Sequence, residues 1–326
     1  MNLLLVYLLA FAGAWLTSFL GLPLWRAWCR RIGLVDEPGH RKIHSAPIPL
    51  AGGLAVLTGL LAPLLAGMLA LNFGWLGSPA TGLLSYGLSR RAGQLSALLL
   101  GALGMVGLGW WDDKTELRPA VKFGAQLLIA VLVAGAGVRI TLFVKSTLFS
   151  YAITVLWILS VTNAYNFMDN MNGLCAGLGA IGAWYFAWSA AAQGQYLVAI
   201  LGALSFGALL GFLPYNFPRA TAFLGDAGSH LIGYWLAVLA ILPHFYTHQN
   251  PKSWAVLSPL LILAVPLADM CWVVVLRWRR GLPFYMGDTN HLSHRLVRRG
   301  WPPSTAVLLI WLLATILGGC AFALQG

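Results

Sequence analysis

Ten times along the chain a run of about 20 mostly apolar residues recurs, the length a helix needs to cross the hydrocarbon of a bilayer. The runs lie near 2–23, 52–72, 93–111, 119–137, 148–167, 174–191, 196–213, 229–246, 254–276 and 304–323. Hydrophobic residues make up 59% of the 326 and charged residues only 9%, where an ordinary soluble domain carries about 25%. A soluble enzyme, a disordered chain and a disulfide scaffold are thereby excluded. The expectation is an all-α integral membrane protein of about ten transmembrane helices, forming a single polytopic domain over 1–326. The first run precedes the first basic residue, Arg26, and is longer than a signal-peptide core, so it reads as an uncleaved span. Four scattered cysteines with no C-x-x-C pair give no metal site and no disulfide framework.

The charges fix an orientation. With ten spans, the loops 24–51, 112–118, 168–173, 214–228 and 277–303 share one side. These loops, with Lys122 just inside the following helix, hold 15 of the 20 Lys and Arg residues. The positive-inside rule makes that side cytoplasmic and leaves both termini outside. Of the nine acids, Asp36, Glu37, Asp112, Asp113, Glu116, Asp169, Asp226 and Asp288 fall on that same side, and only Asp269 lies well within a span. A carboxylate near a bilayer is costly without a partner or a task. The net charge of +11 suggests anionic surroundings, lipid headgroups or phosphorylated substrates, and no nucleic-acid partner is expected.

Five constellations gather on the cytoplasmic side. Asp112 and Asp113, in WWDDKTELRP, suit Mg²⁺ or a proton-accepting base; alternatively they end a span as a solvated loop paired with Lys114 and Arg118. In NAYNFMDNMNGL, Asn163, Asn166 and Asp169/Asn170 step by three or four along one helix face, either for a polar ligand or as packing between helices. Asp226 stands in the Gly-flanked turn FLGDAGSHLIG, as a metal ligand beside phosphate or as an N-cap. His291 and His294 share a face with Arg295 beside them, a set able to hold a pyrophosphate or to lie on lipid headgroups. Arg41, Lys42 and His44 form a stiff basic loop between Pro38 and Pro47, either a topological anchor or a lid on an anionic substrate.

These motifs together resemble those of the polyprenyl-phosphate N-acetylhexosamine-1-phosphate transferases. That family includes the initiators of O-antigen and teichoic-acid linkage synthesis and the phospho-MurNAc-pentapeptide translocase. The resemblance runs through G-L-V-D-x-P-x-x-R-K-x-H-x-x-P-x-P-x-x-G-G at 33–53, Asp112-Asp113, N-x-x-N-F-x-D at 163–169, F-x-G-D-x-G-S at 223–229, P-x-x-D at 266–269 and D-x-x-H-x-x-H-R-L at 288–296. It implies that Asp112 and Asp113 deprotonate or position the lipid phosphate and that Asp226 binds Mg²⁺, with Mn²⁺ as an alternative. It also places Asn166, Asp169, His291, His294 and Arg295 around a UDP-N-acetylhexosamine and makes Lys122 a phosphate ligand. Two departures stand out: Asn172 where an acid is common, and Ser293 where the hexosamine branch has a histidine. The missing run of three histidines leans the resemblance toward the hexosamine-phosphate branch.

The implied enzyme is a Mg²⁺-dependent phosphotransferase of glycosyltransferase family 4, resembling its UDP-GlcNAc:undecaprenyl-phosphate branch. It would work at the cytoplasmic face of a bacterial inner membrane, where it starts cell-envelope glycan synthesis; a homodimer is one admissible assembly. The rival is a transporter of an anionic substrate. Transporters place ionisable groups near the midplane and show paired repeats, and here only Asp269 lies deep and no repeat is visible. Glu37, Glu116 and Asp269 receive no role.

Overall fold

The computed structural model describes residues 3–38, 46–75, 79–243, 245 and 252–325. Helix α1 (Leu3–Arg31) leads through a two-stranded antiparallel ribbon, β1 (Val35–Asp36) and β2 (Ile48–Pro49), into α2 (Gly52–Asn72). There follow α3 (Pro79–Arg90), α4 (Ala92–Thr115), α5 (Pro119–Gly135), α6 (Thr147–Met168), α7 (Leu174–Ala192) and α8 (Tyr196–Phe212). The chain then forms α9 (Gly225–Ile241), α10 (Ser258–Ile262), α11 (Ala264–Arg279), α12 (Leu292–Arg298) and α13 (Pro303–Ala323).

Each apolar run of the sequence overlaps helix among the described residues, but the helices are not equally long. Among the described residues, seven helices have the length and hydropathy to cross a membrane, eight if a bent pair counts as one span. The bent pair replaces the single span expected at 254–276: Ser253–Ile262 and Ala264–Arg279 meet at 70°. Pro266 accounts for the break, since it has no N–H to give the carbonyl four residues back and its ring crowds that turn. Helices α5 and α9 have 17 residues each.

The molecule is apolar on the outside. Leu4, Leu8, Leu20, Leu100, Leu148, Leu312 and Ile316 are exposed, whereas the interior is rich in small side chains such as Ala14, Ala55, Ala102, Ala176, Ala183 and Ala208. Lipid offers helices no hydrophobic incentive to associate, so close backbone approach and dispersion must hold them together. At the centre stands α9, buried along almost its whole length, with α2, α4, α6 and α7 around it. A helix apolar on every face belongs inside a bundle. The N-terminus of that central helix carries Asp226.

The first basic loop is tied at its base rather than free. Val35 pairs with Pro49 and Asp36 with Ile48, and Gly52 and Gly53 donate to Phe223 and Leu224 at 2.8 and 3.1 Å. Arg41, Lys42 and His44 lie outside the described residues.

Candidate active site

The site forms where the C-terminal ends of α4 and α6 meet the N-terminal ends of α5 and α9. Adjacent residues on a helix diverge by about 100°, and Asp112 and Asp113 accordingly do different things. Asp112, buried, turns inward at the α4–α5 corner. One oxygen accepts from Leu117 N at 2.8 Å and the other lies 2.7 Å from Lys122 Nζ. The corner closes on Glu116 in the left-handed region (φ 52°), its N–H on Asp112 O. Asp113 reaches across to α9, accepting from Asp226 N at 2.7 Å and Ala227 N at 3.2 Å. It thereby caps the first turn of the central helix from another chain segment, the place where a carboxylate is favoured.

This docking depends on two glycines. Gly225 has φ +68° and lies directly under the Asp113 carboxylate. Gly109, one turn before Asp113, packs its bare Cα on the α9 backbone, and a methyl there would collide with Ala227 N and Asp226 O. Gly109→Ala should therefore push α9 away from α4 and cost about 1–3 kcal/mol. Thermal unfolding in detergent should register the loss.

Asp226 is the hub. Its Oδ2 lies 2.7 Å from Lys122 Nζ, and its Oδ1 accepts from Asn166 Nδ2 at 2.7 Å. The same Asn166 nitrogen reaches Ser229 Oγ at 3.0 Å. The ammonium expected to find a substrate phosphate thus stands between two carboxylates. Among the described residues neither Lys114 nor Arg118 pairs with Asp112 or Asp113, and Lys114 lies over the Trp110 ring at 5.6 Å.

Asp169 follows α6 directly and sits half-buried. Its carboxyl is pushed up to about 8, mainly by burial and then by the like charges of Asp226 and Asp113. A carboxyl raised in the fold holds its proton while the unfolded chain has lost it. Stability therefore falls as pH rises from about 4 to about 8, by at most ~1.4 kcal/mol per pH unit. Asp169→Asn should flatten that dependence in thermal unfolding of metal-free protein between pH 5 and 8.

One turn deeper lies a layer that sequence reasoning missed. Asn163, expected beside Asn166, instead donates to Gln126 Oε1 at 2.8 Å, and Gln126 Nε2 meets His230 Nε2 at 3.3 Å. Gln126 follows Lys122 by four residues and His230 follows Asp226 by four, so each sits beneath its upper partner. That spacing was the available signal.

The histidine set forms a second group. His291 precedes α12 and lies edge-on to Phe167 at 5.8 Å and 5.9 Å from His294. Phe167 also receives the buried Arg277 guanidinium at 4.9 Å, and Arg277 Nε pairs with Asp288 at 3.1 Å. Phe167 thus joins the histidines to the α6 end that carries Asn166 and Asp169. Burial, then His291 and Arg298, hold the His294 ring below the usual range, favouring the neutral form. Arg295 stacks over Trp272 at 4.9 Å. Ser293 is fully buried and donates to Asn170 Oδ1 at 2.7 Å, fastening α12 to the α6–α7 turn. Asn172 holds Pro218 O at 3.3 Å, tying the same turn to the next loop. Both departures from the family pattern make bonds to the α6–α7 turn or from it, Ser293 from α12 and Asn172 to the loop after α8.

Residues 95–244 match the sequence model of glycosyl transferase family 4. The probable undecaprenyl-phosphate N-acetylglucosaminyl 1-phosphate transferase of Bacillus subtilis (strain 168) is 32% identical over 324 residues, covering 97% of this chain and 84% of the relative. The chain belongs to glycosyl transferase family 4. Two further relatives support the placement. A decaprenyl-phosphate N-acetylglucosaminephosphotransferase of Mycobacterium tuberculosis (strain CDC 1551 / Oshkosh) is 33% identical over 341 residues, 95% of this chain and 80% of its own. The undecaprenyl-phosphate alpha-N-acetylglucosaminyl 1-phosphate transferase of Salmonella typhi is 28% identical over 303 residues, 89% and 76%. The matched stretch contains the Asp112–Lys122–Asp226 cluster and ends before the histidine set of this glycosyl transferase.

Proposed function

We propose that this chain transfers N-acetylhexosamine 1-phosphate from a UDP-sugar to a polyprenyl phosphate, releasing UMP. The work is done on the cytoplasmic side of a bacterial inner membrane, by a chain that crosses it ten times with both termini outside. The carrying observation is the cluster at the head of α9, where Lys122 lies 2.7 Å from both Asp112 and Asp226. Transferases of sugar phosphate to polyprenyl phosphate are what the relatives' names describe. That favours transfer over transport of an anionic substrate.

The donor set fits a hard divalent cation, Mg²⁺ or alternatively Mn²⁺. Asp112 and Asp226 already converge on one positive centre, the Lys122 ammonium, and the Asp169 carboxyl accepts no hydrogen bond among the described residues. No group of three or more His, Cys, Asp or Glu is close enough to cage a metal among the described residues. Mg²⁺ is commonly held by one or two carboxylates together with substrate phosphates, so Asp226, with Asp112 or Asp169, would hold an ion that arrives with the diphosphate. Bound there, the ion would neutralise charge building on the transferring phosphoryl group.

The chain's own residues do the rest. A lipid phosphate oxygen attacks the β-phosphorus, and the bond from β-phosphorus to the bridging oxygen breaks, so UMP leaves with that oxygen. Lys122 moves from carboxylate to phosphate oxygens as the substrates enter, and Asn166 keeps Asp226 in place. His291, His294 and Arg295, with Arg41, Lys42 and His44 of the first loop, hold the diphosphate and the lipid phosphate. Asp112 and Asp113 position the acceptor; a phosphate largely ionised near neutral pH asks little of a base. Preorganised charge then supplies most of the acceleration.

Purified protein given polyprenyl phosphate, Mg²⁺ and a panel of UDP-N-acetylsugars should form UMP and a lipid-linked sugar phosphate. A chelator should stop turnover and excess Mg²⁺ restore it. Absence of UMP with every sugar would overturn the assignment.

A further inference from the structure

Asp269 is the acid for which composition and motif offered no role. It lies on α11 within the apolar body of the protein, its side chain almost wholly buried. Both oxygens are used. Oδ2 is 2.6 Å from His291 Nδ1, and Oδ1 accepts from Leu292 N at 2.6 Å. One carboxylate therefore grips the ring of His291 and the backbone of the next residue, where α12 begins.

An ionised carboxylate only accepts, so the imidazole nitrogen facing it carries the hydrogen. Nδ1 is then committed to the protein, and Nε2 makes no hydrogen bond among the described residues. The neighbours leave the ring little freedom. Phe167 meets it edge-on, and the loop leading to it is pinned by Asp288, which accepts from Arg277 Nε at 3.1 Å and from Asn290 N at 2.9 Å. Ser293, bonded to Asn170, holds the far side of the same turn. A carboxylate behind a histidine commonly fixes its tautomer and orientation, and the ring's working nitrogen depends on it.

We propose that Asp269 is a positioning residue, holding His291 by Nδ1 so that Nε2 is the nitrogen offered to the diphosphate of the nucleotide sugar. The inference rests on the proposed role of His291 in the transferase, and goes beyond it by naming the group that makes His291 competent.

Asp269→Asn is the informative change because it preserves volume while leaving one acceptor for two donors. With the remaining oxygen on Leu292 N–H, the amide NH₂ faces Nδ1 and drives the ring hydrogen to Nε2. Two readouts follow. In ¹⁵N-histidine spectra of the wild-type protein, His291 should be the Nδ1–H form, and in Asp269→Asn the Nε2–H form. In UMP release, Asp269→Asn should lower kcat/KM about 10- to 100-fold. Added to His291→Ala, Asp269→Asn should cause no further loss, because its effect passes through the ring. A wild-type ring with hydrogen on Nε2, or losses that multiply in the double variant, would overturn the inference. Should His291→Ala retain full activity, the role of His291 in the transferase falls instead, while the wild-type tautomer still decides whether Asp269 sets the ring.

Discussion

Asp226→Ala should abolish UMP release, with kcat reduced roughly 10³-fold or more. Three losses coincide in that substitution. The carboxylate proposed to carry the metal disappears, Asn166 loses the acceptor at 2.7 Å, and Lys122 keeps only Asp112. Asp226→Asn separates them. It returns a carbonyl acceptor to Asn166 and occupies the same volume, but it removes the negative charge that draws in a cation. If the charge is what matters, the Asn variant should be nearly as inactive as the Ala variant while unfolding close to the wild-type temperature. Activity that returns with Asn would make Asp226 a hydrogen-bonding anchor rather than a metal ligand.

Lys122→Met should be damaging in a different way. Two carboxylate oxygens, each 2.7 Å from the ammonium, would be left at most about 5.4 Å apart (twice 2.7 Å) with no cation between them. Breaking a buried pair by removing one partner costs roughly 3–5 kcal/mol. Lys122 keeps 19% of its side chain accessible, so the lower end of that range is expected. Thermal unfolding of the metal-free protein should show the loss, and Asp226→Asn in the same chain should recover part of it. Added Mg²⁺ should also recover stability, since the divalent ion can stand where the ammonium stood. Activity should stay low even so, because the moving charge that meets the substrate phosphates is gone. Lys122→Arg is not a conservative change here: a planar guanidinium fork cannot sit as a point charge between two carboxylates. A Lys122→Met protein as stable as the wild type would show that Asp112 and Asp226 are not held together by this ammonium.

Much of the helical layout is visible in hydropathy because lipid demands long apolar runs and little else. What hydropathy lacks is direction: it reads through the bend at 263 as one span, and it passes over α3, whose residues 79–90 alternate polar and apolar too freely to register. The site was legible as a set of residue types on one side of the membrane, not as a set of contacts. Asp112 and Asp113 look like one acidic pair in the sequence, yet adjacent helix positions diverge, and one serves the α4–α5 corner while the other caps α9. Asn163 and Asn166 share a face but sit a turn apart, so only Asn166 reaches Asp226. Gln126 and His230 carry only their four-residue spacing from Lys122 and Asp226, and that spacing does not say what either side chain meets. They acquire meaning only when α5, α6 and α9 are brought side by side. The same holds for Asp269, whose partner is 22 residues away in sequence.

Whether phosphorus moves with the sugar is decided by the fate of the β-phosphorus. A UDP-N-acetylhexosamine carrying ³²P at the β position should be incubated with the purified protein, polyprenyl phosphate and Mg²⁺, and the products separated. Label is expected in the lipid and unlabelled UMP in the aqueous phase, in equal amounts. Labelled UDP in the aqueous phase beside an unlabelled glycolipid would mean that the sugar alone is transferred, and would contradict transfer of the sugar phosphate.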